Sequence, residues 1–206
     1  MKKIWILLLA IINLVAIIAI MLLGLNGCSG GNSSISDGSA TIADYSDAIS
    51  ASNPKSATVS ITYDDTALGV TLKGEYVITY NVDGTATVVY SYDKLNGIGS
   101  EEMISTITGT VEISAGGALS GSLDSTVTAA ATKKINLDAS KMSYVIAMGT
   151  IDASVKAADT AAVFGTALGS DAKLLMRMTS DGTIGSYSVT YNTASGPASV
   201  VCIYGY

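Results

Sequence analysis

Histidine is absent from all 206 residues. That removes the commonest general base and the commonest metal ligand, and it rules out Ser-His-Asp and Cys-His catalytic arrangements. Charge is sparse as well, at 14% of the chain, with 17 acidic against 11 basic side chains. A net charge of −6 disfavours nucleic acid and anionic lipid as partners, since both need a basic face. Of the two cysteines, Cys202 is flanked by Val200, Val201 and Ile203 and reads as a small buried apolar residue rather than a reactive thiol. Phenylalanine and tryptophan occur once each, as Phe164 and Trp5. Tyrosine, with eleven copies, therefore supplies nearly all the aromatic surface.

Motifs for chemistry are equally thin. Ser52-Asn53-Pro54-Lys55 and Ser170-Asp171-Ala172-Lys173 both fit S-x-x-K, but the K-T-G and S-D-N elements that make the pattern catalytic are missing. Gly97-Ile98-Gly99 lacks the third glycine and the strand-to-helix setting of a nucleotide loop. Asp64-Asp65 and Glu101-Glu102 place adjacent carboxylates on opposite faces of an extended chain, which suits solvated turns better than a metal site. The chain is expected not to be an enzyme and to need no cofactor.

The N-terminus is informative. Lys2 and Lys3 precede an apolar run from Ile4 to Leu23, interrupted only by Asn13, and from Ser29 onward the chain turns to Ser, Gly, Asn and Asp. A basic end, an apolar segment and small residues before a break form the layout of an export signal. Leu25-Asn26-Gly27-Cys28 resembles the lipobox of bacterial lipoproteins, with Asn26 the departure from the usual small or apolar residue. The resemblance implies cleavage after residue 27 and a diacylglyceryl group on Cys28. The same run, at 1.5 Å per residue, reaches about 30 Å and would also serve as an uncleaved anchor. Either way the lysine pair stays in the cytoplasm and everything after Cys28 lies outside. The expected layout is a signal peptide over 1–27, a lipidated flexible tether over 28–40 and one β-rich domain over 41–206. The expected location is the extracytoplasmic face of a bacterial membrane, with the N-terminal lipid as the membrane contact.

Within that domain, Thr41 followed by Asp44 opens a helix from Ile42 to Ala51 by hydroxyl capping and a favourable charge at its positive end, and Asn53-Pro54 stops it. The period then changes to two. Ala57, Val59, Ile61 and Tyr63 alternate with hydroxyls, and Val70, Leu72, Gly74, Tyr76, Ile78, Tyr80 and Val82 share a face. Asp83-Gly84 turns the chain so that Ala86, Val88, Tyr90 and Tyr92 return on that face. Further strands are expected at Ile107–Ile113, Leu119–Leu123, near Val127, at Ile135 and Leu137, and through Met142–Val155, where Val145, Ala147, Gly149, Ile151 and Ala153 share a side. Asp159 caps a second helix, which carries Phe164 and Leu168 and ends at Gly169. Strands at Ala172–Met178, Tyr187–Tyr191 and Val200–Tyr204 close the chain.

The predicted fold is α+β, mainly β: a strongly curved antiparallel meander of about ten strands, half-barrel or barrel-like, with two short helices. Gly74, Gly109, Gly121 and Gly149 fall mid-strand, where glycine permits bulges or sharp coiling. This architecture resembles the half-barrel carriers of outer-membrane lipoprotein sorting; no motif of that family matches, so the likeness implies architecture alone. Tyrosines sit where Val, Ile and Leu otherwise fall, and a tyrosine hydroxyl in a dry core needs a partner. A partly wet concave face follows, with Tyr76, Tyr80, Tyr90, Tyr92, Tyr187 and Tyr191 as candidate contacts for an apolar or amphipathic ligand or a partner protein. The alternative is a structural envelope component with no small ligand.

Overall fold

The computed structural model describes residues 40–132 and 135–206; the expected signal, Cys28 and nearly all of the tether lie outside the described residues. The chain enters through α1 (Ile42–Ala51), whose capping box is complete. The Thr41 hydroxyl accepts from the Asp44 N–H at 3.4 Å, and the Asp44 carboxylate accepts from the Thr41 N–H at 2.6 Å. Two orphan donors of the first turn are thereby satisfied.

Nine strands follow: β1 (Ser56–Asp65), β2 (Val70–Tyr80), β3 (Ala86–Asn96), β4 (Met103–Ile113), β5 (Met142–Ala147), β6 (Thr150–Val155), β7 (Ala172–Met178), β8 (Ile184–Asn192) and β9 (Pro197–Gly205). They form one antiparallel sheet in the order β4-β3-β2-β1-β9-β8-β7-β6-β5. β9 returns to pair with β1, so the first and last of the described strands lie side by side at the centre. Among the described residues β4 and β5 remain unpaired edges, and the curved sheet stays open. α2 (Ser125–Ala131) lies between β4 and β5, and α3 (Thr160–Phe164), preceded by a 3-10 turn over Ala157–Asp159, lies between β6 and β7.

Alternation sets the faces, because side chains two apart on a strand point the same way. Ala57, Val59 and Ile61 of β1, Leu174 and Met176 of β7, and Val200 and Cys202 of β9 are buried, together with Tyr45, Val127, Val163 and Phe164 of the three helices. α1 packs on β8 and α2 on β1, so the helices line the inner face of the sheet. One group is left over: the Tyr45 hydroxyl is buried without a hydrogen-bond partner among the described residues, which costs on the order of 1–3 kcal/mol.

The sequence-based strands depart from this in the middle of the chain. Val127 lies on α2, where Asp124 accepts from the Thr126 N–H at 2.8 Å; an N-cap and an Ala-rich run outweigh the local β preference. Leu119–Leu123 makes only an isolated bridge, Leu119 to Ile113. Ile135 and Leu137 are buried without belonging to a strand. The expected single strand over Met142–Val155 is a hairpin, turned by Met148 and Gly149 at positive φ of 49° and 68°. Val145 is consequently 67% exposed while Ile151 and Ala153 are buried. Val82 is in the turn rather than on β2 and is fully exposed, and Gly165, not Gly169, ends α3 in the left-handed conformation.

Candidate functional site

The tyrosines of β2 and β3 come together through register. Tyr76 stands opposite Tyr90, and Gly74 opposite Tyr92; across the next ladder Tyr90 meets Gly109 and Tyr92 meets Ile107. The two glycines serve as seats for rings rather than as bulges. A Cβ on Gly74 would lie 2.6 Å from the Tyr76 ring, and one on Gly109 would lie 2.5 Å from the Tyr90 hydroxyl. With both rings folded down onto bare backbone, Tyr76 and Tyr90 stack at 5.8 Å between centroids and 29° between planes. That offset geometry is the favourable one for aromatic pairs.

Asp124 faces this cluster from the cap of α2. It accepts the Tyr63 hydroxyl at 2.6 Å, and the Tyr63 oxygen in turn accepts from the Tyr191 hydroxyl at 3.3 Å. Burial raises the Tyr63 hydroxyl far above its ordinary range, reinforced by its bond to Asp124. Burial also pushes Tyr76 up to about 12, with the Asp124 charge adding to it, and raises Tyr92 for the same two reasons. The hydroxyls of Tyr76, Tyr90 and Tyr92 take no hydrogen-bond partner among the described residues, yet none is sealed from solvent. Three phenols and one carboxylate therefore meet at the rim of the core.

The other predicted tyrosines belong elsewhere. Tyr187 is 4% exposed, with its ring centroid 6.2 Å from that of Tyr204, and desolvation holds its hydroxyl well above the usual tyrosine value. Tyr80 donates to the Ala130 carbonyl at 3.4 Å, tying β2 to α2. Tyr191 reaches the cluster through its hydrogen bond to Tyr63. Beneath the helices the interior is packed: one apolar void of about 20 Å³ is bordered by Phe164, Tyr187 and Val200, and another of about 10 Å³ by Ile49, Met176 and Tyr204. Neither holds more than about one water. Thus Tyr76, Tyr90 and Tyr92 form one cluster, with Tyr76 buried in the core and Tyr90 and Tyr92 half-buried at its edge, while Tyr80 and Tyr187 pack elsewhere against the core. Asp124 escaped the sequence reading, although Asp-Ser-Thr before an Ala-rich run is an N-cap signal. Cys28 lies outside the described residues.

Among the described residues no helix is long and apolar enough to cross a membrane, and no cluster of His, Cys, Asp and Glu could hold a metal ion. No protein family and no curated protein matches the chain. Among solved structures it is similar to the lipoprotein LppX of Mycobacterium tuberculosis, at 15% identity and TM-score 0.38 over 80% of this chain and 91% of that one. It is also similar to LprF of Mycobacterium bovis, at 11% identity and TM-score 0.39 over 80% of this chain and 90% of that one. Likeness at this level assigns no residue and no ligand.

Proposed function

We propose that the chain is an extracytoplasmic lipoprotein, held to the membrane by a lipid on Cys28, which binds an amphipathic ligand without chemical conversion. The carrying observation is the set of hydroxyls on Tyr76, Tyr90 and Tyr92 that have no hydrogen-bond partner among the described residues, beside Asp124. Rings that offer apolar area and hydroxyls that await a partner suit a ligand with an apolar body and a polar end. Half-buried Leu72 and the exposed Ile107 extend the apolar part of the strip. A second reading, a structural envelope component, is favoured by the packed interior with its voids of about 20 and 10 Å³. The site proposed here therefore lies at the rim.

Native mass spectrometry of the protein extracted gently from its host tests both parts. The mature chain should begin at Cys28 and carry covalent acyl mass, and Cys28→Ser should accumulate as unprocessed precursor. A further non-covalent adduct should be present, and Tyr90→Ser with Tyr92→Ser should lower its occupancy about tenfold. A chain that begins elsewhere and lacks lipid overturns the anchor; acylated protein without any adduct leaves the structural reading.

A further inference from the structure

We propose that the outer face of the sheet carries a second binding site, a polar groove for a short hydroxylated ligand bearing one carboxylate, the chemistry of an acidic sugar. The groove has a volume of about 570 Å³, within the range of small-molecule sites. It runs across the five strands β1, β9, β8, β7 and β6, on the face opposite the core.

Register lines up its floor. Thr62 stands beside Ser199, Ser199 beside Thr190, Thr190 beside Lys173, and Lys173 beside Ser154. Neighbouring strands are roughly 4.8 Å apart, so the row offers regularly spaced hydroxyls with one ammonium among them. None of the side chains of Thr62, Ser154, Lys173, Thr190 or Ser199 has a hydrogen-bond or ion-pair partner among the described residues. Some threonine hydroxyls elsewhere on that face are taken up by carboxylates, Thr87 by Glu112 at 2.8 Å and Thr106 by Asp93 at 2.7 Å.

The charges of the groove decide what it selects. Asp171 accepts from Lys156 at 2.8 Å and from the Ala157 N–H at 2.9 Å. Asp64 accepts from the Thr71 hydroxyl at 2.7 Å. Asp171 is thus paired with Lys156, Asp64 keeps its charge because a hydroxyl bond does not neutralise it, and Lys173 is the lysine of the groove without an ion-pair partner among the described residues. A ligand that pairs with it brings a single negative group. A polyanion is disfavoured, because the chain as a whole carries −6 and repels it. The Tyr191 ring turns inward to Tyr63, so the groove has no aromatic platform and relies on hydrogen bonds. Affinity on the order of 1 mM is expected of so open a site.

NMR titration of the full-length protein in detergent micelles tests this with three probes: a glucuronic-acid disaccharide, its neutral glucose counterpart and glycerol phosphate. The acidic disaccharide should bind at least fivefold more tightly than the neutral one. Lys173→Met should abolish that advantage, bringing the acidic disaccharide down to the affinity of the neutral one, and Thr190→Val with Ser199→Ala should weaken both sugars about threefold. Tyr92→Ser, on the inner face, should change none of these values. Lys173 is exposed, so its variant keeps the fold, which circular dichroism verifies. Equal binding of the two sugars, an unaltered Lys173→Met, or no titration at all overturns the proposal. Glycerol phosphate binding more tightly than the glucuronide overturns the carboxylate assignment.

Discussion

On the inner face, β6 to β9 present Ile151, Leu174, Met176 and Cys202, none more than 1% exposed, whereas the same face of β3 and β4 presents half-buried Tyr90 and Tyr92 and an Ile107 that is 60% exposed. Both halves have the same alternation and the same antiparallel pairing. They differ in what lies over them. α1, α3 and the buried residues Ile135 and Leu137 seal the first half; over the second, α2 brings the carboxylate of Asp124 to the tyrosines at its edge. A sheet face is thus apolar core or part-exposed surface according to its cover, and residue type alone does not separate the two.

Truncation sharpens the contrast most. Leu174→Ala removes a fully buried side chain and should cost about 2–5 kcal/mol, while Ile107→Ala should stay within about 0.5 kcal/mol, both read by urea denaturation. Equal effects would mean that the open half is covered in solution. Next in size is the junction between the halves. Asp124→Ala removes the cap of α2 and the acceptor for Tyr63, with an expected loss of about 1–2 kcal/mol. It should also increase thiol labelling of buried Cys202 less than Leu174→Ala does, because α2 sits on β1 and the rim.

The smallest and most gradual effect is alkaline. Tyr76, pushed up to about 12, and Tyr92, also raised, are more acidic unfolded, where tyrosine titrates near about 10. Their contribution to stability is therefore complete below pH about 10 and is lost as pH rises toward about 12. Tyr187 and Tyr204, displaced further upward by burial, should ionise only on unfolding. Ultraviolet absorbance followed beside circular dichroism should show a first tyrosine phase with the fold intact and a second that coincides with its loss. A single coincident phase would erase the distinction between the halves.

Much of the fold was legible in the sequence where the signal is local. The Thr41–Asp44 capping box and the helix to Ala51 were readable because both partners sit within one turn. The hairpins at Gly84 and Gly182 were readable because each turn needs a residue at positive φ, here 83° and 81°, which glycine adopts without strain. The segment from Leu119 to Leu137 misled. Its Val127, Ile135 and Leu137 are buried from α2 and from irregular backbone, and short apolar runs do not tell strand from helix.

The sequence by itself determined which face of each long strand is apolar, because side-chain direction along a strand follows from a period of two and needs no partner. It also determined that eight tyrosines share those faces, and it carries the lipobox-like end. Only the tertiary structure decided what each tyrosine does. Gly109 seats the Tyr90 ring because register places the two side by side, and register likewise sets Tyr76 beside Tyr90. Asp124 binds a hydroxyl 61 residues away, and the outer groove depends on β9 returning to the side of β1. Those relations join positions far apart in the chain, so no local pattern encodes them.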